Sequence, residues 1–192
     1  MRSVRWMALA TVVVLAACGG DDKDATGPGN GGGARTFSAA VSGDVQASIK
    51  GEALFGQASD PEYGDVFGLE MSETGQGEGF IQVVRLGGQV PGSGTYAIAD
   101  AINGTPQDGD FVAMAFDSDN GEPTAIFVAT GGTLKVTSSS GSAFKGTFTF
   151  DAQGGLFSDP ENTLTIKVSG AFHASPATQA LKINSRTIRR SR

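Results

Sequence analysis

Thr163-Leu164-Thr165-Ile166-Lys167-Val168-Ser169-Gly170-Ala171-Phe172 alternates apolar with polar or small residues along most of its length. Leu164, Ile166 and Val168 point one way and Thr163, Thr165 and Lys167 the other, as in a strand with one buried face. The stretch before it, Ala143–Asp151, places Phe144, Phe148 and Phe150 around Thr147 and Thr149. Working outward, similar short runs recur at Phe37–Ser42, Val45–Phe55, Asp65–Met71, Gly79–Leu86, Gly94–Ile98, Asp110–Asp117, Thr124–Thr130 and Thr133–Ser138. Gly-rich or Asp/Pro turns separate them, and no window of a dozen residues has helical spacing. Hairpin-length gaps without βαβ alternation predict an all-β fold, a single antiparallel β-sandwich or β-barrel-like domain of about 8–10 strands. A period of two does not choose between sandwich and barrel.

This domain spans residues 36–173, long enough to bury about two-thirds of its unfolded surface. It carries five basic residues against seventeen acidic ones, a net charge of −12. Residues 174–192 hold Lys182, Arg186, Arg189, Arg190 and Arg192 with no acid, a net of +5. The chain total of −6 therefore conceals two opposed blocks. The terminal block reads as a basic flexible tail, and its sharper reading is contact with lipid headgroups or envelope polysaccharide phosphates. Residues 18–35 contain no large apolar side chain and cannot offset the entropy of ordering, so they read as a disordered Gly/Asp-rich tether. Its seventeen residues after Cys18 reach roughly 20–25 Å.

Ahead of the tether, Arg2 and Arg5 precede an apolar run from Trp6 to Ala17, which ends at Leu15-Ala16-Ala17-Cys18. A basic start, an apolar run and small residues before a cut site make a secretory signal. The run is too short to span a hydrocarbon core, which takes about 20 residues. The four closing residues resemble the bacterial lipobox. That resemblance implies removal of residues 1–17, a diacylglyceryl group on the Cys18 thiol, and a fatty acyl chain such as palmitate on the new N-terminus. Several chains together give stable anchoring where a single one is marginal. In lipoprotein sorting, Asp directly after the cysteine favours the inner membrane in some bacteria. Gly19 stands there in this chain, which tilts the expectation toward the outer membrane. The alternative is a plain secretory signal with Cys18 a stray thiol, since the only cysteine cannot form an internal disulfide.

Catalytic constellations are sparse. His173 is the only histidine, no Gly-x-Ser-x-Gly elbow occurs, and Cys/His zinc sites are excluded. Two carboxylates suffice for a hydrolase, but no pair stands out. Asp117, Asp119, Asn120 and Glu122 offer hard oxygen ligands for calcium, although Asn120-Gly121 between apolar runs favours a hairpin turn. Ser59-Asp60-Pro61-Glu62 repeats as Ser158-Asp159-Pro160-Glu161, and both read as turns. At one end of the domain, Asp60, Glu62, Asp159 and Glu161 would form an acidic rim for a cation or basic partner. An acidic domain without a basic groove does not suit nucleic acid. Trp6 leaves with the signal, so only Tyr63 and Tyr96 remain for aromatic platforms besides phenylalanines that read as core. A carrier cavity inside a barrel stays open at this point.

Gly94-Thr95-Tyr96, Gly132-Thr133-Leu134-Lys135-Val136-Thr137, Gly146-Thr147-Phe148-Thr149-Phe150 and Val168-Ser169-Gly170-Ala171-Phe172 form a recurring order. It resembles a broad group of uncharacterised bacterial envelope lipoproteins that end in a G-T-F-x-F … G-x-F hairpin. The resemblance implies a sandwich-like or barrel-like lipoprotein and carries no functional residues over. The expectation is a non-catalytic, membrane-anchored lipoprotein binding a ligand or an envelope polysaccharide or protein partner. A structural or adhesive surface module comes second and a carboxylate-based hydrolase third.

Overall fold

The sheet closes on itself. In the computed structural model, which describes residues 35–60, 63–74, 78–179 and 181, nine strands form one closed barrel. They are β1 (Thr36–Gly43), β2 (Ala47–Asp60), β3 (Gly64–Glu73), β4 (Phe80–Leu86), β5 (Gly94–Ile98), β6 (Phe111–Asp119), β7 (Glu122–Ser139), β8 (Phe144–Leu156) and β9 (Asp159–Pro176). The order around the barrel is β1-β2-β3-β4-β6-β5-β7-β8-β9, with β9 returning to β1. Pairing is antiparallel apart from short parallel contacts of β5 with β6 and of β2 with β9. β5 and β6 share the edge of the long β7, β5 along Gly132–Val136 and β6 along Glu122–Val128. Barrel is thus the outcome of the two architectures that period two left open.

One sequence break is not a break. Thr124–Thr130 and Thr133–Ser138 read as two strands around Gly131-Gly132, yet both belong to β7. Ala125, Phe127 and Ala129 face the interior, and beyond the glycines Leu134 and Val136 do. That change of parity requires one extra residue, and the register with β8 slips between Ala129 and Gly131. Gly131 sits at φ +152°, so the bulge falls where glycine adopts the backbone without strain. Without the bulge, Lys135 would point into the core.

The interior is built from phenylalanines facing glycines. Antiparallel register places Gly146 opposite Phe172, Phe148 opposite Gly170 and Gly132 opposite Phe150. A Cβ on Gly170 would lie 2.6 Å from Phe148 Cζ and 2.6 Å from the Ser38 carbonyl oxygen. Glycine there gives its space to the ring, which is how a narrow barrel accommodates large residues. The rings of Phe55, Phe67, Phe144 and Phe172 continue the stack with centroids 5.1–6.2 Å apart. This is the physical content of the G-T-F-x-F … G-x-F pattern.

The outer face is not uniform. Over β3, β4, β6 and β7 a second apolar layer of Val66, Val84, Leu86, Val112, Met114 and Val128 is buried together with Ala101. Ala101 and Ile102 come from the connection between β5 and β6, which folds back over the sheet. Ala101 N–H donates to the Ala129 carbonyl (3.0 Å), and Asp100 Oδ1 accepts from the Ile102 and Asn103 amides at 2.9 and 2.8 Å. Those bonds, that of Asn103 first, hold the Asp100 carboxyl below its usual range. Over β1, β8 and β9 the outward residues are mostly Ser, Thr and Lys, with Asp151, Gln153 and His173, so this barrel is apolar inside and polar outside there. A lipid-spanning barrel has the opposite arrangement.

Candidate functional site

Alternation of direction puts the β1/β2, β3/β4, β6/β7 and β8/β9 turns at one end of the barrel. The β2/β3 and β7/β8 turns lie at the other. Ser59-Asp60 closes β2, whereas Asp159-Pro160 opens β9, so the two repeats occupy opposite ends. The shared acidic rim of Asp60, Glu62, Asp159 and Glu161 is therefore corrected: antiparallel topology separates its halves. Pro61 and Glu62 lie outside the described residues, as do Cys18 and residues 182–192.

The calcium candidates Asp117, Asp119, Asn120 and Glu122 form the β6/β7 hairpin. Asn120 and Gly121 take φ +53° and +79°, the two positive values of a two-residue type I′ turn. Asp119 pairs with Glu122 across it, and Asn120 Nδ2 donates to Asp119 Oδ1 at 2.9 Å. Asp117 Oδ2 accepts from Thr124 Oγ1 (3.2 Å). Among the described residues no group of three or more His, Cys, Asp or Glu side chains converges as a metal ion requires. The spacing serves the turn.

What the sequence did not single out is the neighbour of that turn. The β3/β4 connection leans on the hairpin: Gly121 N–H donates to Glu78 Oε2 (2.8 Å), and Ser118 Oγ donates to the Glu78 carbonyl (3.0 Å). Between them lies a cleft of about 410 Å³, whose lining includes Glu73, Glu78, Phe80, Phe116, Asp117 and Pro123. Phe80 and Phe116 face each other across β4 and β6 with ring centroids 5.7 Å apart. Glu73 Oε2 accepts from the Gly79 amide (3.1 Å). Desolvation raises the Asp117 carboxyl, opposed by its Thr124 bond and reinforced by Glu78 and Asp119. A lining that combines two phenylalanine rings with three carboxylates favours a cationic group carried on an apolar stem. A signal for this cleft existed in the sequence only as two unpaired phenylalanines flanking glycine-rich turns.

His173 stands far from these carboxylates, on the outer face of β9 beside Lys145 of β8. Desolvation first, and then the Lys145 charge, lower its pKa. Among the described residues no helix is long and apolar enough to cross a membrane, which says nothing of strands. Comparisons with protein-family models, curated proteins and solved structures give no match.

Proposed function

We propose that this chain is an extracytoplasmic lipoprotein, anchored through acyl chains on Cys18 to the outer membrane in preference to the inner, whose barrel is non-catalytic. The barrel meets an envelope protein or polysaccharide partner through its outer surface. One observation carries the second half of this reading: Phe–Gly cross-strand pairs and the Phe55–Phe67–Phe144–Phe172 stack fill the interior that a carrier would need empty. Recognition then falls to the exterior, where the Phe80–Phe116 cleft suits a Lys or Arg side chain of a protein partner. The separation of His173 from every carboxylate of the cleft supports the non-catalytic part. The anchor rests on Leu15-Ala16-Ala17-Cys18 and the tether behind it.

A structural or adhesive module is the second reading, favoured by Leu156 and Phe157 at the β8/β9 tip, where Phe157 is 49 % exposed. Labelling cells with radioactive palmitate tests the anchor. The wild-type chain should take up label and Cys18→Ala should not; equal labelling of the two would overturn it.

A further inference from the structure

Charge on the barrel is sorted in space. The turns at the β1/β2, β3/β4, β6/β7 and β8/β9 end carry Asp44, Glu73, Glu78, Asp119, Glu122 and Asp159 with no Lys or Arg among them. Lys50 adjoins this end, its carbonyl accepting from Thr74 N–H (3.3 Å) beside the Gly51–Glu73 pair, and the other cations lie elsewhere. Lys50 of β2 pairs with Ser38, Ser38 with Ala171, Ala171 with Thr147 and Thr147 with Lys135, so one register row runs from Lys50 to Lys135. The adjacent row joins Thr36, His173 and Lys145, with Arg35 directly before Thr36. Ile49, Leu134, Phe144 and Phe172 point inward, so Lys50, Lys135, Lys145 and His173 all point outward. Four strand spacings separate Lys50 from Lys135, about 19 Å measured along the curved wall of the barrel. Of the Lys and Arg residues from 35 to 181, only Arg85 and Lys167 lie off this belt. Glu52 faces it, 3.6 Å from Arg35.

The chain enters and leaves the barrel beside the same belt. The Arg35 carbonyl accepts from Ala53 N–H (3.2 Å), and Ala177 N–H donates to the Phe55 carbonyl (2.8 Å), two residues further along β2. Leu181 is buried against Gly56, where a Cβ would lie 3.6 Å from its Cγ. Arg35 and Leu181 thus stand beside the belt; in sequence, Cys18 precedes the first and Lys182, Arg186, Arg189, Arg190 and Arg192 follow the second.

We propose that the Lys50–Arg35–Lys145–Lys135 belt is a docking face for anionic phospholipid headgroups. Phosphates attract each basic residue at the surface by about 1 kcal/mol, so several cations on one face give a strong preference for anionic over neutral membranes. A connection of only seventeen residues between Cys18 and Thr36 keeps the belt at high effective concentration against the surface to which Cys18 is fixed. The consequence is orientation: the belt faces the lipid and the acidic turns, with the Phe80–Phe116 cleft, are turned toward other partners. That orientation rests on the anchor reading, whereas the headgroup affinity does not.

Lipid titration of the full chain carrying Cys18→Ser, which has no acyl acceptor under either reading, measures the affinity alone. Partition into phosphatidylcholine vesicles gives the apolar contribution, and vesicles containing phosphatidylglycerol give the rest. At about 0.05 M salt the anionic vesicles should bind at least about tenfold better, and at about 0.5 M the ratio should collapse toward one. Lys135→Gln with Lys145→Gln should lower the anionic partition by about tenfold or more, while Arg85→Gln with Lys167→Gln, the same change in charge, should leave it within about twofold. Lys135, Lys145 and Lys167 are on the outer face, Arg85 lies at the barrel mouth over the Phe111 ring (5.9 Å), and thermal melts confirm folding of both variants. A ratio near one at low salt, or equal losses from the two pairs, would overturn the docking face. Failure of the palmitate test with success here would leave a peripheral, unlipidated membrane binder.

Discussion

The wall made by the second half of β7 with β8, β9 and β1 and the wall made by β3, β4 and β6 solve burial differently. The first is one apolar layer thick: Phe144, Phe148, Phe150, Ile166, Val168 and Phe172 face inward and Thr147, Thr149, Lys167 and Ser169 outward. The second is buried on both faces, since Val84, Val112 and Met114 pack outward under Ala101 and Ile102 while Ile81, Val83 and Ala113 pack inward. A strand covered on both sides loses its alternation, and Phe80–Leu86 duly carries apolar residues on both faces, Phe80, Val84 and Leu86 on one and Ile81 and Val83 on the other. The single-layered wall is free to carry charge, and it carries most of the basic belt. The double-layered wall ends at the Phe80–Phe116 cleft.

The difference can be broken most forcefully at its glycines. Gly170→Val would drive a branched side chain into Phe148 and the Ser38 carbonyl at once, which costs at least about 3 kcal/mol. Loss of a cooperative thermal transition is the expected readout, and a native-like melt would show that the Phe–Gly pairing is not what fills the barrel. Met114→Ala, in the outer layer of the other wall, should cost about 2–3 kcal/mol by denaturant melting and leave the barrel closed. Asp100→Ala removes the acceptor that holds the β5–β6 connection in place and should cost about 1 kcal/mol. Amide exchange should then speed up at Ile102 and Asn103 while Val83 and Phe148 stay protected.

The smallest effects belong to two carboxylates of the second wall. Desolvation raises Glu70 and Asp117 above the usual carboxylate range. A raised folded value means that the native state holds the proton more tightly than the unfolded chain. Stability from these groups is therefore present below the unfolded value and lost as pH rises through the folded one. Glu70→Gln and Asp117→Asn should each raise the melting temperature by about 1–3 °C near pH 7 and leave it unchanged near pH 3. Stabilisation at low pH instead would reverse the sign of the assignment.

How much of this was legible in the sequence follows the same division. β1, β5 and the inward and outward sets of β9 could be read from period two, because one face of each meets water. β7 was split in the reading because Gly131-Gly132 is a turn signal in isolation, and only its partner β8 shows that it is a bulge. The burial of Ala101 and Ile102 had no local signal, since a strand's second covered face is decided by a connection elsewhere in the chain. The cleft was missed for a related reason: Phe80 and Phe116 are 36 residues apart and meet only through the β4–β6 pairing. The Asn120-Gly121 turn, by contrast, is local chemistry and was read correctly.

The filled interior is the central claim, because it moves recognition to the outside of the barrel. Titration of palmitate into the protein, followed by NMR of the phenylalanine rings, tests it directly. The rings of Phe55, Phe144, Phe148 and Phe172 should keep their chemical shifts throughout. Saturable shifts at those rings would show that the barrel opens to hold a ligand and would contradict the account.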